Sequence, residues 1–396
     1  MQRILILGGG VGGTLTANLL ARKLRTRIDR GDVVVTVVDA TGEHVYQPGF
    51  MYIAMGGERE QGLRRAERGL LDRRVELVVG EIVRIDDSAH AVELADGTRL
   101  IYDYVVIAVG SRITPETIPH FAEEAHHFYT PEAARRLRRA LDAFTGGRLV
   151  IGIAGMPYKC PPAPLEVAFL IDSELRARHL RDRTDMHFCS PIGRAFTIES
   201  VSEMATPVFQ EKGIEVHTFF NVEEIDPERK VVRSLEGEEL PYDLLILVPP
   251  HKGAQVLIDS GLATGSGWLP TDRETLQVKT APDAPDGTQS PRRPHMYALG
   301  DATDLPLSKA GSTAHFEAPV VAERIAAQVR GVEPEAKAGH YTGKVMCFFE
   351  IGGGKATLLQ FDYNHPPHPP KPNRVWHLGK IAFNKTYWHT VPRGRV

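Results

Sequence analysis

At 396 residues the chain is long enough for two or three domains with substantial cores, and its apolar and charged fractions, 42% and 24%, are those of an ordinary globular protein. A formal net charge of −3 gives no footing for nucleic acid, and no stretch approaches the roughly 18 uninterrupted apolar residues of a membrane-crossing helix. Three cysteines, Cys160, Cys189 and Cys347, are too few for a disulfide scaffold, and neither they nor the 16 histidines show a metal-site spacing, so no metal is expected.

The chain opens on a strand, residues 3–7, with no basic region or cleavage site of a signal peptide; this points to the cytoplasm or the cytoplasmic face of a membrane. The strand meets Gly8, Gly10 and Gly13 at G-x-G-x-x-G spacing, then a helical "TLTANLLARKL" and a second strand, "VVVTVVD", that closes on Asp39. In that setting the glycines read as a dinucleotide turn. They let the backbone approach a pyrophosphate at a helix N-terminus, and Asp39 can accept from a ribose hydroxyl. Residues 75–101 alternate as a small antiparallel meander, and "YDYVVIAVGS" (102–111) returns a buried strand to a glycine. His126 and His127, near a linker between domains, read as solvated polar residues, or else as proton handlers.

Residues 148–250 repeat the plan. A strand at 148–153 is followed by a helix from Pro164, a strand "TDMHFC", a helix from Ser200, a hairpin region and the strand "YDLLILVP". The second copy has lost its nucleotide features. Met156 to Pro164 replace the glycine loop, and the second strand ends in Cys189-Ser190-Pro191 instead of an acid. Cys160 sits in that replaced loop, just before a helix whose first turn holds Pro164 and Glu166. A thiol there tends toward thiolate, with Lys159 favouring the anion; the alternative is an inert buried cysteine. Glu166 either moves protons or merely suits the helix dipole. Cys189, ending an apolar strand, reads as a small core residue.

Downstream, "HMYALGDATDLPLSKAGSTAHFEA" (295–318) gives one more strand, ending in Gly300-Asp301, and a helix start near Ser312. Lys309 either offsets negative charge on a reduced cofactor or sits on the surface. Cys347 lies in a hairpin that turns at Gly352–Gly354. The last segment interleaves Trp376, Ile381, Phe383, Tyr387 and Trp388 with Arg374, Lys380, Lys385, Arg393 and Arg395. That pattern suits a helix lying in a membrane interface, or else a tail docked on the body of the protein.

These motifs resemble the two-dinucleotide-binding-domain flavoproteins of the glutathione-reductase-like fold. The resemblance implies an α/β protein with two Rossmann-like domains: an FAD domain at 1–112 and 290–330, a second domain at 113–289 with a degenerate nicotinamide site, and a C-terminal hairpin and tail at 331–396. FAD would lie against Gly8, Gly10, Gly13, Asp39, Ala40, Gln47, Ile82, Ala108, Gly110, Gly300, Asp301, Lys309 and Gly311. A cysteine in place of the second nucleotide loop and another in a C-terminal hairpin are similar to the sulfide:quinone oxidoreductase family. That family implies Cys160 and Cys347 as a redox pair on one flavin face, joined by a disulfide or sulfur bridge. It also implies sulfide and a membrane quinone as partners, a monotopic seat on the membrane surface, and Phe348, Phe383 and Tyr387 near the quinone. A homo-oligomer is left open. Rival readings are the flavoprotein subunit of flavocytochrome c sulfide dehydrogenase, an NADH:quinone dehydrogenase, and a non-catalytic flavin-binding protein.

Overall fold

The computed structural model describes residues 1–285, 287–334 and 339–395. The elements that position the site run in chain order as follows. The first stretch is β1 (Gln2–Leu7), α1 (Val11–Lys23), β2 (Val33–Asp39), β3 (Val75–Val79), β4 (Ile82–Asp86), β5 (Ala91–Leu94), β6 (Arg99–Ile101) and β7 (Tyr104–Ile107). The middle is β8 (Gly147–Ile153), α2 (Ala163–Ala177), β9 (Thr184–Cys189), α3 (Glu199–Lys212), β10 (Ile214–His217), β11 (Val222–Asp226), β12 (Val231–Ser234), β13 (Glu239–Pro241) and β14 (Leu244–Val248). The last part is β15 (Gln277–Lys279), β16 (Arg292–Ala298), α4 (Gly311–Arg330), β17 (Val345–Gly352), β18 (Lys355–Phe361) and α5 (Arg374–Thr386).

The first sheet has the order β15-β16-β7-β1-β2-β3, with β1 parallel to both β2 and β7. Its central strands are apolar on both faces because both faces are covered. Ile4, Ile6, Val35 and Val37 pack with Leu20 of α1 and Val321 and Ile325 of α4; Leu5, Leu7, Val105 and Ile107 pack against Ile85 and Val92 of the β4-β5-β6 meander. The second sheet, β10-β9-β8-β14, repeats this design. Leu149, Ile151 and Phe188 face Val167 and Phe169 of α2, while Val150, Cys189 and Leu245 face Phe220, Ile225 and Val232 under the β11-β12-β13 meander. Cys189 is therefore core, fully buried.

Three sequence expectations need correcting. Residues 75–79 do not belong to the antiparallel meander: they form β3, the parallel edge of the first sheet, because Val75 and Leu77 pack under that sheet. Gln277–Lys279 pairs with β16 and so joins the same sheet ahead of residue 290. His126 and His127 are half-buried, not solvated side chains at the surface. His126 donates its N–H to Leu245 O at 2.9 Å, and burial pushes both imidazoles down to about 4. Of the two readings of the tail, the docked one matches its packing: α5 lies along β18, with Lys380 buried within it. Residue 396 lies outside the described residues. Among the described residues no helix is long and apolar enough to cross a membrane.

Candidate active site

The glycine turn after β1 is dictated by crowding. Gly8 holds φ +102, where a Cβ would stand 2.5 Å from Ala108 O, and a Cβ on Gly13 would stand 1.9 Å from Gly8 O. Gly10, the residue preceding α1, faces open space and offers no side-chain cap. The first N–H groups of α1 are thus left for an anion. At the end of β2, Asp39 accepts from Gly9 N–H at 2.9 Å and from Gly42 N–H at 2.8 Å, which fixes its carboxylate beside the turn. Ala40 is exposed next to it, Ile82 is half-buried at the start of β4, and Gly110 holds φ +69 with open space beyond. The buried Ser111 Oγ beside Gly110 has no partner.

A second uncapped helix start lies across this cleft. Gly311 begins α4 with no side-chain cap from Ala310, and a Cβ on Gly311 would meet Val11 of α1 at 3.7 Å. Gly300 sits at φ +69 and donates its N–H to Glu317 Oε2 at 2.5 Å. The Asp301 carboxylate accepts from no protein donor among the described residues; burial raises its pKa, opposed by the ammoniums of Lys159 and Lys309. Lys309 is buried, not on the surface: Nζ donates to Thr303 O and lies 4.9 Å from the Trp268 ring. Gln47 reaches the same cleft, accepting from Lys159 Nζ at 3.2 Å. An open, uncapped glycine turn at one helix start, an acid for ribose and an unpartnered acid between two lysines together fit a dinucleotide cofactor.

The two cysteines come close to one another near the start of α4. Cys160 donates its N–H to Lys309 O at 2.7 Å and accepts from Ala163 N–H at 2.9 Å, and these bonds hold it at φ +57, a left-handed conformation costly for a side-chain-bearing residue. Cys347 Sγ lies 3.4 Å from Ser312 Oγ in the first turn of α4. Alternation along β17 places Cys347 and Phe349 toward α4 and α2, while Phe348 and Glu350 face α5. Both cysteines are free thiols. The expected drift toward thiolate is not what the structure gives. Burial pushes the Cys160 thiol up, and Glu166 and Cys347 push the same way; Lys380 and the Ala163 N–H oppose them. Burial likewise raises Cys347, opposed by Ser312. Desolvation outweighs the helix end.

Beside the thiols lies a charge cluster that sequence reasoning saw only in part. Glu166, buried in the first turn of α2, accepts from Glu350 N–H at 2.7 Å and from Lys380 Nζ at 2.6 Å. Glu350 Oε2 accepts from Tyr52 OH at 2.9 Å and lies 3.4 Å from Lys380 Nζ, while its Oε1 meets His377 Nδ1 at 2.8 Å. Burial raises Glu166, opposed by Lys380. Lys380 stays charged: burial would lower it, but Glu166, Tyr52 and Glu350 outweigh that and lift it well above the ordinary lysine value. Glu350, Tyr52 and His377 were missed; the signal was an acid inside the apolar run "MCFFEI". Of the three aromatics expected beside a second substrate, Phe348 and Phe383 are half-buried with ring centroids 6.2 Å apart. Tyr387 lies edge-on to Phe383 with ring centroids 6.5 Å apart; it is fully buried, tilts against Tyr46 at 4.3 Å and bonds His44 Nε2 at 2.7 Å, so it also anchors the tail to the first domain.

Two repeated parallel-sheet units, the first with an open glycine turn and the second with a cysteine where that turn would be, define an oxidoreductase of the two-dinucleotide-domain class. The pyridine nucleotide-disulphide oxidoreductase family model matches residues 2–326, and the chain belongs to that family. The cleft is thus a flavin-type cofactor site. Similar proteins along the whole length include the mitochondrial sulfide:quinone oxidoreductases of Mus musculus (23% identical, 92% of this chain and 79% of the relative) and Dictyostelium discoideum (23%, 100% and 87%). The crystal structure of the sulfide:quinone oxidoreductase of Aquifex aeolicus has the same fold, with a TM-score of 0.82 at 22% identity, covering 100% of this chain and 92% of that one.

Proposed function

We propose that this chain is a sulfide:quinone oxidoreductase, oxidising sulfide at Cys160 and Cys347 and passing two electrons through FAD to a membrane quinone. The observation that carries the reading is the convergence of these two cysteines, one from the loop before α2 and one from β17, near the uncapped start of α4. Full-length similarity to proteins of that name supports it. Bound FAD would accept an electron pair from sulfur and release it to quinone; Gly8, Gly10, Gly13, Asp39, Asp301 and Gly311 would hold it. The residues themselves handle the sulfur. Oxidised together, the two thiols give up two electrons and two protons and form an S–S bond. Hydrosulfide attacks one sulfur of that bond; a new S–S bond forms, the old one breaks, and the electron pair stays on the other cysteine as thiolate. Lys380 favours the thiolate form of both cysteines, and Glu166, in contact with Lys380, moves the proton.

The test is an anaerobic titration. Sulfide should bleach the flavin of the purified protein, and a soluble quinone should restore it; a flavin indifferent to sulfide sinks the reading. NADH should do neither. β9 ends in Cys189 and Ser190 with no carboxylate for a ribose, and Pro157 to Pro162 fill the second nucleotide turn, where Gly155 is already against Pro250. Similarity to a type II NADH:quinone oxidoreductase of Mycobacterium tuberculosis covers 36% of this chain. Saturable flavin reduction by NADH would favour that reading instead.

The seat on the membrane, on its cytoplasmic face, belongs to the outer side of α5. Val375 and Leu378 are 74% and 62% exposed, while the inner side carries Lys380 and His377. Deleting the tail would therefore dismantle the charge cluster, and point substitutions are the cleaner probe. Val375→Ser/Leu378→Ser should lower sedimentation with anionic vesicles several-fold and slow long-chain more than short-chain quinones. Unchanged sedimentation would place the membrane face elsewhere.

A further inference from the structure

Away from the cysteine cleft, five polar side chains gather at the edge of the second sheet. β9 and β10 run parallel with His187 opposite Glu215 and Cys189 opposite His217, so Asp185, His187, Glu215 and His217 share one face. The β11-β12-β13 meander covers that face, and the turn between β12 and β13 adds Glu238. His187 Nδ1 and His217 Nε2 approach to 2.9 Å. Their outer nitrogens are already committed: His187 Nε2 is 3.0 Å from Asp185 Oδ2, and His217 Nδ1 is 2.5 Å from Glu238 Oε1.

A carboxylate only accepts, so each outer nitrogen carries the proton, and in a neutral imidazole the inner nitrogen then carries a lone pair. Two lone pairs at hydrogen-bond distance repel unless a cation sits between them. Glu215 supplies a third donor, Oε2 lying 3.7 Å from His187 Nδ1 and Oε1 3.9 Å from His217 Nε2. All three donor groups fall within 4.8 Å of one another. A tetrahedral ion with bonds of about 2.1 Å needs donors about 3.4 Å apart, which lies inside this spread.

We propose that His187 Nδ1, His217 Nε2 and the Glu215 carboxylate bind one divalent transition metal of the zinc type, with water completing the coordination. Imidazole and carboxylate together suit such an ion, and a carboxylate on the far nitrogen of each imidazole is the arrangement that fixes the ring and raises its basicity. The imidazoles are 7% and 11% exposed and Glu215 66%, so the ion would enter from solvent past the glutamate. It would tie the edge strand β10 to β9 and, through Glu238, to the meander. The sequence shows no metal signature because the ligands come from two strands and pair only in register.

The experiment is a calorimetric titration of chelator-stripped, untagged full-length protein with zinc chloride. The wild type should bind one zinc saturably, and Cys160→Ser/Cys347→Ser should bind it equally, which separates this site from the thiols. His187→Gln and His217→Gln should abolish binding, and Glu238→Gln should weaken it about 10–100-fold. X-ray absorption of the zinc-loaded protein should show two imidazoles at about 2.0–2.1 Å. Glu215→Gln, at an exposed position, keeps the test decisive if an imidazole variant fails to fold: it must weaken zinc at least tenfold. The proposal is overturned if the wild type binds no zinc (a single shared proton then bridges the imidazoles). It is equally overturned if binding vanishes with the cysteines, survives both histidine substitutions, or is unchanged in Glu215→Gln.

Discussion

Cys160→Ser and Cys347→Ser should each fold, keep a normal bound-flavin spectrum and lose sulfide-dependent quinone reduction by about 10³-fold or more. That is the scale on which removing a covalent nucleophile acts. Both thiols are half-buried, and oxygen for sulfur is a small change in volume, so little stability should go with the activity. Because the two sulfurs would act as one unit, the double variant should fall no further than either single one. Cys160 offers an internal control. At φ +57 glycine is the favoured residue, so Cys160→Gly should be at least as stable as Cys160→Ser while remaining inactive. Cys189→Ser, altered in the core under the meander, should instead keep its turnover and lose stability. Near wild-type turnover in Cys160→Ser or Cys347→Ser, measured with sulfide and a soluble quinone, would remove the paired-cysteine mechanism.

What the sequence made legible is what the backbone dictates. Gly8 and Gly13 have no room for a Cβ and Gly10 must leave a helix end open; these constraints act within a few residues, so spacing reveals them. The two apolar-strand repeats were readable for the same reason: parallel strands covered on both faces are continuously apolar. Lys380 was not. In an amphipathic segment a lysine facing solvent and a lysine facing two buried acids have the same periodicity, and only the packing of α5 on β17 and β18 tells them apart. The Cys160 protonation was misjudged on similar grounds: a helix start favours the anion, but burial among Glu166 and Cys347 is a tertiary fact. Tyr387 looked like one more aromatic of the tail, yet His44, from near the N-terminus, decides its place.

Lys380→Met should then destabilise the fold by about 3–5 kcal/mol at neutral pH, the usual cost of breaking a buried ion pair from one side. Glu166 and Glu350 are each 4% exposed and Lys380 11%, so little solvent is available to replace the ammonium. With it gone, two neighbouring carboxylates remain buried, and the charge of Glu350 raises the affinity of Glu166 for a proton. The sign of the pH dependence follows. A carboxylate whose folded pKa exceeds its unfolded value contributes its stability below the unfolded value and loses it as pH rises through the folded one. The variant should thus regain stability on acidification from pH 7 toward 5, measured by urea midpoint, while the wild type changes less. Glu166→Gln added to Lys380→Met removes one stranded charge, and the double variant should recover much of the loss. A double-mutant cycle should therefore show strong coupling. The same substitution bears on chemistry. Lys380 is the largest influence holding the Cys160 thiol down, so without it Cys160 should be alkylated more slowly by iodoacetamide at any given pH. Additive effects of the two substitutions, together with an unchanged alkylation profile, would mean that Lys380 neither neutralises Glu166 nor reaches the thiols.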